Sequence, residues 1–166
     1  METELVILEV DKQAVVEKLL SFGAKKIFDA DMNQVQYKGD GFILRVRQEG
    51  DQVLLNMKKR KKDVQFKVSE EYEVEVADFD QMAEFLSHLP LKYLRNLSKH
   101  RESYKIGEVK FEFDKYLGKQ EHVPEFLEIE GEDRDELLSW VEKLGFSDDD
   151  ISSLTTTQII KRYKKK

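Results

Sequence analysis

The chain has 166 residues, of which 28 are Lys or Arg and 34 are Asp or Glu, so its formal net charge at pH 7 is −6. The absence of cysteine excludes disulfides, thiol nucleophiles, iron–sulfur clusters and Cys-ligated zinc. Charged residues make up 37% of the chain, yet the 40% that are hydrophobic suffice for one core, and the length fits a single domain over residues 1–166.

Alternation of apolar and polar residues predicts strands along most of the chain. Six segments alternate in this way, at residues 2–7, 42–47, 53–60, 64–76, 109–114 and 126–130. Two further strands are expected near Lys26–Lys38 and Lys92–Tyr104, which gives about eight in all. Most connections are short, such as Gly39-Asp40-Gly41, and short connections favour antiparallel pairing.

Capping residues and apolar periodicity predict four helices, over residues 11–22, 78–89, 133–145 and from 152 or 153 into the basic tail. Asp11, Asp78 and Asp133 are the predicted N-caps of the first three helices. The predicted fold class is therefore α+β. We expect a large antiparallel sheet or an eight-stranded antiparallel β-barrel with helices packed outside.

The charged residues of the predicted strands fall mainly on one parity. The acidic members of this set are Glu2, Glu4, Glu71, Glu73, Glu75, Glu112, Asp114, Glu128 and Glu130, and the basic members are Arg45, Arg47, Lys58, Lys99 and Arg101. Because the helices must pack on the apolar face, the charged face points either into solvent or into the lumen of a closed sheet. The residues alone leave both arrangements open. A charged lumen needs acids, bases, metal ions and an anionic ligand to compensate one another, so it would be a binding site.

These motifs, in this order, resemble those of the CYTH, or triphosphate tunnel metalloenzyme, superfamily. The opening Glu2-Thr3-Glu4-Leu5-Val6 is similar to its Glu-x-Glu-x-Lys signature. The later matches are Leu44-Arg45-Val46-Arg47, Lys58, Glu71-Tyr72-Glu73-Val74-Glu75, Lys99-His100-Arg101, Phe111-Glu112-Phe113-Asp114 and Phe126-Leu127-Glu128-Ile129-Glu130. The resemblance extends from Met1 to about Gly145. It is closest to small prokaryotic members related to class IV adenylate cyclases and thiamine triphosphatases.

The resemblance implies an eight-stranded tunnel that binds a triphosphate and a divalent metal ion, Mg²⁺ or Mn²⁺. The implied triphosphate-binding residues are Arg45, Arg47, Lys58, Lys99 and Arg101. The implied metal-binding residues are Glu2, Glu4, Asp114, Glu128 and Glu130, with Glu71, Glu73 and Lys67 in supporting positions. The chemistry of these residue types agrees, because carboxylates are hard oxygen ligands and guanidinium groups bind phosphate oxygens in pairs.

The signature departs from the superfamily at one position. Val6 stands where the superfamily has Lys, which removes a cation and places a branched apolar side chain beside the expected site. Lys67 is a candidate replacement for that cation.

Several functions follow from this resemblance. Metal-dependent hydrolysis of a thiamine, nucleoside or inorganic triphosphate ranks above adenylate cyclase activity on ATP, because hydrolysis needs no aligned ribose hydroxyl. A non-catalytic binder of triphosphate or polyphosphate is an alternative motivated by Val6, and a helix-coated sheet with solvated charges is another. The expected partner is a small-molecule triphosphate such as ATP, thiamine triphosphate or tripolyphosphate. We expect no nucleic acid or membrane partner, a cytoplasmic location, and a monomer or homodimer.

Overall fold

The computed structural model of the protein describes residues 2–61, 63 and 66–164. Its strands are β1 (Glu2–Ile7), β2 (Lys25–Lys38), β3 (Ile43–Glu49), β4 (Gln52–Lys61), β5 (Lys67–Glu75), β6 (Lys92–Ile106), β7 (Val109–Tyr116), β8 (Phe126–Gly131) and β9 (Ile151–Ser152). Its helices are α1 (Lys12–Ser21), α2 (Phe79–Ser87), α3 (Arg134–Leu144) and α4 (Thr156–Tyr163). Residues 64 and 65, with which the fifth predicted strand begins, lie outside the described residues.

The eight long strands form a closed antiparallel barrel. Their order is β5-β4-β3-β2-β6-β7-β8-β1, and a pairing between β1 and β5 closes the ring. Short hairpins connect β2 to β3, β3 to β4 and β6 to β7. The prediction of an eight-stranded antiparallel barrel with helices outside is therefore confirmed.

One edge of β1 is divided between two partners. Glu2–Glu4 pair with β5, whereas Val6 and the residue after it pair with the short strand β9. Because Ile151–Ser152 is extended to make this pairing, the fourth helix cannot begin at 152 or 153 as predicted. It begins at Thr156, after Thr155 accepts a hydrogen bond from the backbone N–H of Gln158 and so acts as the N-cap.

The other three helices begin where their capping residues predict. Asp11, Asp78 and Asp133 each accept a hydrogen bond from a backbone N–H in the first turn, at 3.1, 2.7 and 2.9 Å. The third helix ends at Gly145, whose φ of 89° lies in the left-handed region that favours glycine. No helix among the described residues has the length and apolar character needed to cross a membrane.

The helices cover the apolar outer face of the barrel on two sides. α1 and α3 pack over β1, β7 and β8, where Phe111, Phe113 and Ile129 are fully buried. α2 packs over β2, β3 and β4 through a cluster that includes Val46 and Leu86. Since successive side chains of a strand point to opposite faces, the charged residues between these apolar ones face the lumen.

Candidate active site

The lumen contains two neighbouring cavities that share lining residues. The larger one has a volume of about 550 Å³, and a smaller one of about 300 Å³ lies at the end of the barrel beneath α4. Five charged residues line both cavities, namely Glu4, Arg45, Lys58, Arg101 and Glu128. Volumes of this size are typical of sites that hold a small-molecule ligand.

The barrel brings the predicted site residues together in this lumen. The larger cavity is also lined by Glu2, Arg47, Glu71, Glu73 and Glu130, and the smaller one also by Lys99 and Asp114. Lys67 lines neither cavity, but its ammonium nitrogen lies 3.3 Å from the Glu4 carboxylate. We call the lumen-facing residues of β7, β8 and β1 the acidic wall, and those of β3 and β4 the basic wall.

Arg101, on β6, is the cation next to the acidic wall. Its guanidinium donates two hydrogen bonds to Asp114, at 2.7 and 2.6 Å, and one to Glu128 at 2.9 Å, and it also contacts Glu112. Asp114 is only 1% exposed. Burial opposes ionisation of Asp114, but Arg101 and Lys99 hold its pKa below the usual range. One guanidinium is thus shared by three carboxyl groups. Asp114 accepts two of the hydrogen bonds from Arg101 and stays ionised.

Other carboxyl groups of the acidic wall have a raised pKa. Burial raises the pKa of Glu128 to about 7, and the neighbouring carboxylates add to the effect. Burial raises the pKa of Glu2 to about 8, although Lys58 opposes the shift. Burial and Glu112 also raise the pKa of Glu130. The acidic wall therefore holds more carboxyl groups than the nearby cations can neutralise.

Lys58 joins the two walls across the closing pair of strands. Its ammonium nitrogen lies 2.6 Å from the Glu71 carboxylate and 3.2 Å from the Glu4 carboxylate. Burial opposes the charge on Glu4, but Lys58 and Lys67 lower its pKa to about 2. Burial also opposes the charge on Lys58 and by itself would lower its pKa, yet the surrounding carboxylates raise that pKa above the usual value. Lys58 and Glu4 therefore both keep their charges.

The basic wall is neutralised by carboxylates from the neighbouring strand β5. Arg45 lies 3.4 Å from Glu71, and Arg47 lies 3.1 Å from Glu73. Asn56 is 1% exposed and donates a hydrogen bond of 2.9 Å to Glu71, while its own Oδ1 has no hydrogen-bond partner. The Nε atom of Arg45 is likewise buried without a partner. The basic wall therefore keeps unused donors and acceptors that face the larger cavity.

Val6 lies at the edge of the charged lumen and is buried among apolar side chains. It pairs in register with Glu128, but it is 0% exposed and lines neither cavity. It packs in a cluster with Tyr116, Phe126 and Ile159, the last of which belongs to α4. Val6 is thus an apolar group at the edge of the lumen, as expected, and it also helps to hold α4 across the end of the barrel.

Several residues of the lumen were not predicted as site residues. Among them are Glu49, Asn56, Lys110 and Glu112, which line the larger cavity, and Arg60 and Arg95, which line the smaller one. Strand parity could have identified most of them, because Asn56 and Arg60 share the parity of Lys58, and Lys110 and Glu112 share that of Asp114. Asn56, Arg60 and Lys110 lie outside the recognised motifs, whereas Glu112 lies within one and was given no role in the site.

Among the described residues, the one group of three side chains close enough to share a metal ion lies outside the lumen. Asp29, His100 and Glu102 have ligand atoms within 4.8 Å of one another, on the outer face of β2 and β6. These groups already have partners, since His100 lies 3.1 Å from Asp29 and Lys12 lies 2.7 Å from Glu102. This outer group plays no part in the tunnel.

A closed antiparallel barrel with acids and bases paired in its lumen defines a tunnel-type protein, and comparison with known proteins gives the family. The family model described as the CYTH domain matches residues 9–159. The chain therefore belongs to the CYTH family. The matched segment begins after Glu4, so the match does not depend on the N-terminal signature.

Individual relatives show the same similarity. A Methanocaldococcus jannaschii protein named as a proposed adenylate cyclase is 28% identical over 137 residues, which is 78% of this chain and 76% of that protein. The structure of the PH1012 protein from Pyrococcus horikoshii superimposes with a TM-score of 0.83 at 23% identity, over 96% of this chain and 98% of the other. A proposed adenylyl cyclase from Hippeastrum, described as having a dominant triphosphatase activity, gives a TM-score of 0.65 at 16% identity, over 98% and 96% of the two chains.

Proposed function

We propose that this protein catalyses the metal-dependent hydrolysis of a triphosphate held in the tunnel. The observation that carries the proposal is the juxtaposition of an acidic wall and a basic wall in one lumen. The acidic wall offers ligands for a cation, and the basic wall offers ligands for a polyanion. Phosphoryl transfer needs positioning and charge neutralisation more than covalent chemistry, so such a lumen has the main requirements.

The triphosphate would bind to cations that now pair with carboxylates. Arg45, Lys58 and Arg101 line both cavities and so occupy the centre of the lumen, with Arg47 and Lys99 on either side. Guanidinium groups bind two phosphate oxygens at once, and ammonium groups act as compact charges. On binding, these cations would exchange their carboxylate partners for phosphate oxygens.

The acidic wall offers carboxylates of the type that binds a divalent cation, and among the described residues no three of them lie within 4.8 Å of one another before a ligand binds. We propose that the ligands are Glu2, Glu4, Asp114, Glu128 and Glu130. Burial, together with neighbouring carboxylates, raises the pKa of three of these groups, so a bound cation would favour their ionised forms. Carboxylate oxygens are the ligands that Mg²⁺ and Mn²⁺ prefer. A bound ion would supply positive charge that stabilises the phosphate oxygens during the reaction.

The remaining predicted residues would act in support. Glu71 and Glu73 hold Arg45 and Arg47 in the lumen through the ion pairs described above. Lys67 lies next to Glu4 and could supply part of the positive charge that the signature Lys would have supplied. Turnover despite Val6 would then depend on Lys67 and on the Arg residues of the tunnel.

Cyclisation of ATP is the second candidate reaction. It is favoured by the name of the Methanocaldococcus jannaschii relative, whereas hydrolysis is favoured by the description of the Hippeastrum protein. Hydrolysis also requires less of the site, because water needs no alignment of a ribose hydroxyl with the phosphate. We therefore rank hydrolysis first.

A substrate panel tests the proposal. The purified protein is incubated with tripolyphosphate, thiamine triphosphate or ATP and with Mg²⁺ or Mn²⁺, and both orthophosphate and cyclic AMP are measured. We expect orthophosphate from at least one substrate. Cyclic AMP as the main product from ATP would favour the cyclase, and thermal stabilisation without turnover would favour a non-catalytic binder. Absence of both turnover and stabilisation would contradict the tunnel assignment.

Two neighbouring lysines of β4 provide matched variants for this assay. Lys58 faces the lumen, whereas Lys59 lies outside, 5.9 Å from the Tyr72 ring. We expect Lys58→Gln to lower kcat/KM at least about a hundredfold, as expected for the loss of an electrostatic contact to the reacting group. Lys59→Gln should stay within about twofold of the unmodified protein, since exposed substitutions have small effects.

A further inference from the structure

The two ends of the tunnel carry opposite charge. Apart from the five residues common to both cavities, the larger cavity is lined by six carboxylates and two cations. The smaller cavity beneath α4 is lined by one carboxylate and four cations: Asp114, Lys38, Arg60, Arg95 and Lys99. The lumen is therefore acidic toward one mouth and basic toward α4.

Three of these cations have no carboxylate partner. Lys99 pairs with Asp114, but Lys38, Arg60 and Arg95 lie more than 4 Å from every carboxylate among residues 2–61, 63 and 66–164. This differs from the central cations, which all form ion pairs. A cluster of unpaired cations in a concave site is a favourable position for an anion.

The surroundings of Arg95 also indicate a ligand. Its Nη2 atom donates to Thr157 at 2.5 Å, and its Nε atom is buried without a partner. Burial lowers the pKa of Arg95, and the charge on Arg60 acts in the same direction. Gln34 is 7% exposed, lines the same cavity and has an Oε1 atom without a hydrogen-bond partner. These groups are arranged around a space rather than around one another.

α4 adds to the positive potential of this cavity. Its first residues, Thr156 and Thr157, line the space together with the N-cap Thr155. Helix N-termini carry partial positive charge and free backbone N–H groups. Arg60 lies two residues beyond Lys58 on β4, so it is about 7 Å farther along the tunnel toward α4.

The cavity is unsuited to a nucleobase or another aromatic ring. Its one aromatic side chain among the described residues is Tyr116, which is 4% exposed and packed in the apolar cluster with Val6. No ring face is left on which a base could stack. The ligand chemistry that fits is a chain of phosphate groups.

We propose that the part of the cavity beneath α4 lined by Lys38, Arg60 and Arg95 is a second anion subsite that holds phosphate groups of a linear polyphosphate beyond the third. This inference rests on the proposed function, because the first three phosphates occupy the central tunnel. A chain of four or more phosphates would extend past Arg101 and Lys58 to Arg60, Arg95 and Lys38. Tripolyphosphate would end before it reached them.

Chain length tests the subsite. KM is measured for tripolyphosphate and for a linear polyphosphate of about ten phosphates with the unmodified protein and with Arg60→Gln. We expect the longer chain to have the lower KM, by about tenfold, which corresponds to one additional charge-assisted contact. Arg60→Gln should remove most of this difference, and Lys38→Gln, also at an exposed position, should reduce it too. Lys59→Gln, on the outside of the same strand, should leave it unchanged.

Failure of this inference is distinguishable from failure of the proposed function. Equal KM values for the two chains in the unmodified protein, or an equal effect of Arg60→Gln on both, would overturn the subsite. If no substrate turns over, thermal stabilisation by the same two ligands gives the same comparison. Greater stabilisation by the longer chain, lost in Arg60→Gln, supports the subsite, and equal stabilisation overturns it. Absence of stabilisation by tripolyphosphate would instead contradict the triphosphate site itself.

Discussion

The acidic and basic walls of the tunnel differ in how their charges are balanced. Arg45 and Arg47 of the basic wall each pair with a carboxylate of β5. In the acidic wall one guanidinium, that of Arg101, serves three carboxyl groups, and the pKa of Glu128 is raised to about 7 as a result of burial and crowding. The protein without ligands is therefore electrostatically satisfied on one side and deficient in positive charge on the other. We expect the largest responses to substitution and to metal ions at the acidic wall.

Removal of the shared guanidinium should have the largest effect. Arg101→Gln leaves the buried carboxylate of Asp114 with Lys99 as its remaining ion-pair partner among the described residues. We expect activity to fall about a thousandfold. We also expect the free energy of unfolding to fall by about 3–5 kcal/mol, as when one partner of a buried ion pair is removed. Denaturant unfolding and turnover on the best substrate measure these effects.

The adjacent residue on the outer face provides the control for Arg101. His100 contacts Asp29 and Asp31 at the surface, and His100→Gln should change the free energy of unfolding by less than about 1 kcal/mol. Equal stability of the two variants would mean that Arg101 does not organise the acidic wall.

Addition of a divalent metal ion should stabilise the protein through one wall alone. At a concentration about a hundred times Kd, Mg²⁺ or Mn²⁺ should add about 2.7 kcal/mol to the free energy of unfolding. Glu128→Gln should remove most of this gain, whereas Glu73→Gln, beside Arg47, should retain it. Thermal unfolding with and without the ion makes the measurement. If Glu73→Gln lost the stabilisation by the metal ion and Glu128→Gln kept it, the ion would lie at the basic wall.

The stability of the metal-free protein should depend on the protons held by the acidic wall. Because folding raises the pKa of Glu128 to about 7 and that of Glu2 to about 8, their contribution is fully present below about pH 4.5 and is lost as the pH rises through 7 and 8. Gln imitates the protonated carboxyl group. We therefore expect Glu128→Gln, in EDTA, to gain about 1.4 kcal/mol relative to the unmodified protein as the pH rises from 6 to 8.5, most of it below pH 7.5. If the melting temperatures of Glu128→Gln and of the unmodified protein changed in parallel with pH, this prediction would be wrong.

The smallest effect on activity is expected from substitution of Lys67, the β5 residue whose ammonium group lies next to Glu4. Lys67→Gln removes one of the two ammonium groups that lower the pKa of Glu4, while Lys58 remains. We expect kcat/KM to fall by about three- to tenfold, or roughly 1 kcal/mol. Steady-state kinetics checks this. A loss as large as that of Lys58→Gln would show that Lys67 replaces the signature Lys more completely than its position suggests.

Strand periodicity predicted much of the fold and of the candidate site. A period of two placed Glu128 and Glu130 on one side of a strand and Leu127 and Ile129 on the other, and the barrel uses the strand in that way. Local signals also sufficed for three helix starts, because an Asp N-cap acts within its own first turn. The start of α4 was predicted wrongly, since β9 pairs with a strand almost 150 residues away and sequence-local signals cannot reveal such a contact.

The sequence by itself determined which side chains share a face, since backbone geometry fixes that within each strand. It could not decide whether the charged face met solvent or a lumen, because closure depends on the pairing of β1 with β5. The tertiary structure also decided the partners, such as Lys58 with Glu4, and therefore which carboxyl groups keep their protons. It placed Val6 under α4 and gathered Lys38, Arg60 and Arg95 at one end of the tunnel. Charge can be counted along a chain, but its balance depends on distance and burial, which exist only after the barrel closes.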